Sequence, residues 1–422
     1  MSVFNVFEKD RKEITGPVNV LRLEGKVDGV TKVVYLFLDH HYSAQNQTEC
    51  LNVYSTDVNQ YLAQTFHKLN GASRVYDFFM ELNVSDFRVD PRYREAAKRE
   101  SGRSGYRDIY IGRMVELIKS AVEYDPETNR TLPSKVFQNV RLHYLDIREE
   151  FHTPITWPLL FLQNDIWSML CSKQDNFGHP IQLLTQVKEA VDSFVQVYET
   201  VSADPGAKLN PETEHRAQTP SWLSEHPLFA QTVRKLLIGY SHTNIKQTLV
   251  KLFQTKMKEF SQLSTDLENA IETYSKMQNL LLDPPITLEY GTDAYDLERA
   301  NMYGSVMLDA YLIAKKLSIA SMSTVAWITD CYLLRRVLDK DYITHSIIYS
   351  GGGHSRHYVQ ALVGDFGFSI THAAFMPTTT VTELNTAIHA HLKEERVIDD
   401  LLLPGPNPPQ CSDITGFPDD FA

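Results

Sequence analysis

The segment Val33-Val34-Tyr35-Leu36-Phe37-Leu38-Asp39-His40-His41 decides the fold. Six consecutive apolar residues, mostly β-branched or aromatic, have the length of a strand and are too few for a buried helix. Unbroken apolarity without alternation predicts a strand buried on both faces, as in a parallel sheet covered by helices. The run ends abruptly on a carboxylate and two imidazoles. Similar runs follow in Arg74 to Leu82 (ending VYDFFMEL), in 136–148 (VFQNVRLHYLDIR) and in His345 to Ser350, which leads into Gly351-Gly352-Gly353-His354. Val18 to Leu23 alternates like a further strand. Residues 54–69 and Ile109 to Val122 carry helical periodicity between them. Strands alternating with helices predict an α/β fold with a central, largely parallel sheet flanked by helices.

The middle of the chain reads differently. Apolar residues recur at helical spacing from Leu183 to Val201, and again from Ile245 to Leu281 with spacings of three and four. The second stripe is long enough for one extended helix or a helical hairpin, and its seam suits a neighbouring helix, a protein partner or a homodimer. The expected organisation is therefore 1–150 as the first part of the α/β core and 151–283 as a helical insertion. Residues 284–400 form the second part of the core, and 401–422 a flexible, Pro-rich, acidic tail. Within 284–400, ITLEYG (286–291) reads as a short strand, with helices expected over 296–317 and 323–338. The Arg-rich stretch 84–107 reads as an exposed excursion.

Composition narrows the function. The chain has 422 residues, 43% of them hydrophobic and 22% charged, which supports a sizeable core and excludes a mostly disordered chain. A formal net charge of −12 makes general nucleic-acid binding unexpected, because phosphate contact relies on Lys and Arg. Cys50, Cys171, Cys331 and Cys411 form no CxxC pair, which excludes zinc ribbons and thioredoxin-type motifs; four scattered thiols suit a reducing compartment without a disulfide framework. No signal-peptide core and no membrane-spanning apolar stretch is evident, so a soluble, intracellular protein is expected.

Polar residues gather where the buried strands end, which is where open α/β sheets bind ligands. Asp39, His40 and His41 offer metal ligands or an acid/base pair. Glu81 interrupts an apolar run and needs a partner if buried, with Asp77 four residues earlier on the same strand face. Arg141 and His143 share a face and suit an anion or developing negative charge, with Asp146 and Arg148 nearby. Glu289 is a further strand-end carboxylate. The glycine turn Gly351, Gly352 and Gly353 lets the backbone bend and approach a ligand closely, and Gly353→Val would be strained if Gly353 has a positive φ. It lacks the lysine of a phosphate loop and places His354 at the strand's end. There is no GxSxG, HExxH or kinase signature. His389 and His391 read as surface residues.

The ordered set YLFLDHH (35–41), Cys50, DFFMEL (77–82), VRLHYLDIR (140–148), MLDAYLIAKK (307–316) and IIYSGGGH (347–354) resembles an uncharacterised family of large double-stranded DNA viruses of algae and protists. The resemblance covers roughly 30–150 and 285–365. It implies a location in the host cytoplasm or the virion. The layout is also similar to the group containing erythromycin esterases, ChaN-like, TraB and Tiki-type proteins. That likeness implies a site of His40 or His41, Glu81 and His354, with a divalent metal in some members.

Two functions follow as expectations. One is a hydrolase-like enzyme, with His40, Glu81, Arg141, His143 and His354 in the chemistry. Zinc or manganese would be held by Asp39, His40, His41, Glu81 and His354. The other is a non-catalytic virion component or host-interaction factor on an enzyme-like fold. The substrate is not legible.

Overall fold

The structure is a computed structural model that describes residues 9–41, 49–83, 109–125, 130–148, 151–203, 227–405 and 407–422. The Arg-rich stretch 84–107 lies outside the described residues. The chain folds as two compact units: Met1–Ile147 with Leu333–Ala422, and Arg148–Tyr332. The α/β core thus resumes at Leu333, later than the expected 284.

In the first unit the strands are β1 (Glu13–Thr15), β2 (Asn19–Val27), β3 (Val30–Asp39), β4 (Thr56–Asp57), β5 (Tyr76–Asn83), β6 (Tyr124–Asp125), β7 (Arg130–Thr131), β8 (Val140–Asp146), β9 (His345–Gly351), β10 (Ser369–Ala373) and β11 (Cys411–Asp413). The main sheet has the order β10-β2-β3-β9-β5-β8. Strands β3, β9, β5 and β8 are mutually parallel, whereas β2 pairs antiparallel with both β3 and β10. The sheet is therefore mixed. The departure arises at Asp28-Gly29, where φ of 47° and 88° closes a tight hairpin between β2 and β3.

Alternation along the strands divides the sheet's two faces. Tyr35, Phe37, Phe78, Met80, Leu142, Ile347 and Tyr349 face α1 (Val58–Lys68) and α2 (Tyr110–Ala121), which bury Leu62, Phe66, Met114 and Ile118 against them. The opposite side carries α8 (Gly352–Gly364), which packs on β3 and β9. Lys32 at the start of β3 is buried and donates to the carbonyls of Val337 (2.9 Å), Lys340 (2.9 Å) and Ile343 (2.7 Å). Burial pulls its ammonium down to about 8, against the raising effect of Asp341, Asp77 and Asp339.

The C-terminal segment is not a flexible tail. Strand β11 pairs antiparallel with β1, which pairs parallel with β4. The Phe421 ring is buried, with its centroid 5.1 Å from that of Tyr35 and 6.1 Å from that of Tyr61. The expectation of four free thiols is also corrected: Cys50 and Cys411 form a disulfide, leaving Cys171 exposed and Cys331 buried as free cysteines. A separation of 361 residues gives no spacing signal; pairing of β11 with β1 brings the two together.

The second unit is helical: α3 (Trp157–Ser172), α4 (Gly178–Ala203), α5 (Pro227–Ile238), α6 (Thr243–Leu282) and most of α7 (Asp293–Asp339). Helix α6 buries the stripe Ile245, Leu249, Phe253, Met257, Phe260, Leu263, Leu267, Ala270, Tyr274, Met277 and Leu281. Aromatic pairs Tyr198–Phe253 and Phe194–Phe260 show that α4 lies antiparallel to it. The strand expected at 286–291 is absent; these residues connect two helices and are mostly exposed. The two helices expected over 296–338 are one continuous helix. Helix α7 is long and apolar enough to cross a membrane by length and composition, yet 72% of its apolar window is buried inside the fold, as in a core helix.

In the α/β unit, Helix α9 (Val381–Ala390) and helix α10 (Glu395–Leu402) complete the chain before β11. Phe421→Ala is expected to destabilise the α/β unit by about 3–5 kcal/mol, the usual cost of emptying a buried aromatic site. Urea denaturation checks this; a change below about 0.5 kcal/mol, as for a surface site, would restore the flexible-tail reading.

Candidate active site

Register builds the site. Asp39 at the end of β3 stands opposite Gly351 at the end of β9, and β5 pairs with β9 on its other side through Met80 and Tyr349. Asp39, Glu81 and Gly351 therefore meet at one sheet edge. Strand β9 runs directly into α8, which puts His354 in the helix's first turn. Just beyond β3, His41 adopts a φ of 51° and folds its ring back over the strand ends.

Glu81 is the centre of the cluster. Its Oε2 accepts the Gly351 backbone N–H at 2.8 Å and lies 3.4 Å from His41 Nε2. Its Oε1 lies 3.5 Å from His354 Nε2. On the far side of the His41 ring, Nδ1 is 3.1 Å from Asp39 Oδ2, and the His41 backbone N–H donates to Asp39 Oδ1 at 3.2 Å. The Gln410 amide also donates to Asp39 Oδ1, at 3.4 Å. Asp39 is buried and His354 nearly so, whereas the His41 side chain is 36% exposed and opens the cluster to solvent.

Two carboxylates on one imidazole fix its charge. Burial opposes protonation of His41, but hydrogen bonds to Asp39 and Glu81 outweigh it and push its pKa up to about 10. His40 behaves oppositely: burial lowers its pKa against the raising effect of Asp39. The imidazole brought to Glu81 from this pair is that of His41, which corrects the choice of His40.

Arg141 and His143 do not reach this edge. Asp77, fully buried, accepts from Arg141 Nε (2.9 Å) and Nη2 (2.8 Å), and its Oδ1 lies 2.7 Å from His143 Nε2. His143 Nδ1 faces Arg336 at 2.9 Å, and the ring stacks on Phe79 at 4.4 Å. An imidazole facing an arginine at one nitrogen and a carboxylate at the other is held neutral; burial first, then Arg336 and Arg141, lower its pKa against Asp77. Asp77 and Glu81 share a strand face as expected, but four residues of strand separate them by about 13 Å. This is a satisfied structural network within the sheet.

Other expectations also shift. The Asp146 side chain lies outside the described residues. Arg148 and Glu289 belong to the helical unit, and Glu289 is exposed. None of Gly351, Gly352 and Gly353 has a positive φ, because the strand enters a helix without a turn. The glycine that matters is Gly351: a Cβ there would lie 2.9 Å from His41 Nε2 and 3.5 Å from Glu81 Oε2. At Gly353 a Cβ would meet nothing within 4 Å. Gln410 was not foreseen, since it sits in the segment read as a tail.

The expected zinc or manganese needs at least three converging donor atoms. Among the described residues, the group whose donors all lie within 4.8 Å of one another is Glu13, Cys50 and Cys411. Its sulfurs are joined in the disulfide, and Glu13 Oε1 faces Arg11 Nε at 3.0 Å. Asp39, His41, Glu81 and His354 form a chain of pairs and no such group. The donor geometry of these four side chains does not fit a single ion.

The geometry has three measurable consequences. The charge on His41 stabilises the fold fully below its unfolded pKa of 6.5, and this contribution fades as pH rises through about 10. The stability gap between wild type and His41→Gln should accordingly shrink between pH 7 and 10 in urea titrations. Asp77→Ala should cost about 1–3 kcal/mol by leaving the Arg141 and His143 donors without their acceptor, read by the same method. Gly353→Ala should melt at or above the wild-type temperature, because alanine favours a helix, whereas Gly351→Ala should melt lower by pressing on His41.

With the geometry in place, known proteins give it a context. Relatives include three uncharacterised proteins of Acanthamoeba polyphaga mimivirus. R706 is 29% identical, with 100% of this chain and 99% of the relative covered. R160 is 30% identical, with 100% of both covered, and R161 is 30% identical, with 98% and 99% covered. No solved structure matches. These relatives lend no support to the likeness to erythromycin esterases and their group, which rests on strand layout alone. The model of a family of unknown function, DUF5847, matches residues 12–422, so the chain belongs to that family, which extends among giant-virus proteins.

Proposed function

We propose that the chain is a hydrolase that works by acid–base catalysis at the Asp39–His41–Glu81–His354 edge. The observation that carries this reading is the position of Glu81, nearly buried between two imidazoles at the ends of parallel strands. A structural ion pair needs one partner; Glu81 has two imidazoles and a backbone N–H. The two imidazoles have different settings. His41 lies between Asp39 and Glu81, is held protonated, and reaches solvent, which fits it to donate a proton to a leaving group. His354 Nε2 lies 3.5 Å from Glu81 Oε1, and this pair is the base that takes a proton from an attacking water. The substrate is one whose leaving group needs a proton, such as an ester or amide.

A non-catalytic virion or host-interaction role is the second reading. It is favoured by exposed apolar side chains on the helical unit, among them Trp157, Phe161, Trp167, Leu308 and Leu312.

A panel of chromogenic esters and amides tests the first reading. Hydrolysis should fall by about 100-fold or more in Glu81→Gln and in His354→Asn, the span of a lost general base, while both variants stay folded. The rate should also decline above about pH 10 as His41 loses its proton. No turnover on any substrate, with the protein abundant in purified virions, would favour the second reading.

A further inference from the structure

We propose that the Cys50–Cys411 disulfide is a redox-sensitive clasp on the Asp39–His41 end of the site, with Gln410 as the positioning residue through which it acts. The link is a short covalent and hydrogen-bonded path. Gln410, fully buried, donates its side-chain amide to Asp39 Oδ1 at 3.4 Å. Its carbonyl accepts the Gly16 N–H at 3.0 Å, just past β1. The next residue, Cys411, opens β11 and is bonded to Cys50, whose own N–H donates to Thr15 Oγ1 at 3.4 Å. The disulfide therefore ties the residue after Gln410 to Cys50 beside β1. Asp39 in turn holds the His41 ring at Nδ1 and the His41 backbone N–H. Loss of the clasp loosens the carboxylate that orients the proposed acid.

Both cysteines are only partly buried, so a small dithiol reaches them. One thiolate of the dithiol attacks a cystine sulfur and forms a mixed disulfide. Its second thiol then displaces the protein sulfur. The reductant leaves as a cyclic disulfide, two electrons pass to the protein, and Cys50 and Cys411 each end as a thiol. Cys171, exposed, and Cys331, buried, are internal controls.

The proposal rests on the acid–base reading only for its consequence, so its test avoids turnover. Alkylation before and after dithiothreitol reports which cysteines are linked, and hydrogen exchange followed by mass spectrometry reports local order. Untreated protein should label at Cys171; reduced protein should label at Cys50 and Cys411 as well. On reduction, amides around Asp39–His41 and 410–413 should exchange about tenfold faster or more, while helix α6 is unchanged. Cys50→Ser should reproduce this without reductant. Gln410→Ala should reproduce the change at Asp39–His41 with the disulfide intact. Labelling of Cys50 and Cys411 without reductant overturns the proposal. So does reduction that leaves exchange at Asp39–His41 unchanged, or that speeds the whole α/β unit evenly, as a plain staple would. A protein that shows the local response yet hydrolyses nothing loses the hydrolase reading and keeps the clasp.

Discussion

The parallel pairing of β9 between β3 and β5 is the constraint on which the rest depends. Parallel register brings Asp39, Gly351 and Glu81 to one edge. The Gly351 N–H there donates to Glu81 Oε2 at 2.8 Å. A carboxylate at that depth must be paired or neutralised, and His41 and His354 supply the partners. The absence of a side chain at Gly351 is what lets the His41 ring approach. Sheet, glycine and charge cluster are thus one arrangement.

The unit contains two charge networks, and their contents separate structure from chemistry. Around Asp77, each strong donor meets an acceptor inside the sheet, and burial keeps His143 neutral. At the strand ends, His41 is charged and partly exposed. The first network resembles the interior of a stable domain. The second holds a charged imidazole at a solvent-facing edge with a carboxylate–imidazole pair behind it, the condition in which proton transfer to a ligand is possible.

The buried strands were legible because unbroken apolar runs have few alternatives, and so were Glu81 and His354 at their ends. The Asp28-Gly29 hairpin is also written in the sequence as a two-residue turn signal, although the apolar runs on either side end short of it. The choice between His40 and His41 was not legible: it turns on a positive φ at a non-glycine residue, which no local pattern announces. The grouping of Arg141 and His143 with Glu81 failed because residue spacing gives a strand's face but not the depth along it. The C-terminal segment misled by composition. Its prolines and acids suggest a tail, while Gln410, Cys411 and Phe421 pair with residues hundreds of positions away.

The helical insertion was legible as a stripe, since periodicity over α6 is local information. The site's chemistry turns on the charge of one ring. A pH titration of the His41 imidazole by nitrogen-15 NMR, in the intact chain, measures it directly. Held between Asp39 and Glu81, both ring nitrogens remain protonated at pH 8, with a midpoint near 10. A midpoint at the ordinary histidine value of about 6.5 would contradict it, because His41 would then not be held between Asp39 and Glu81.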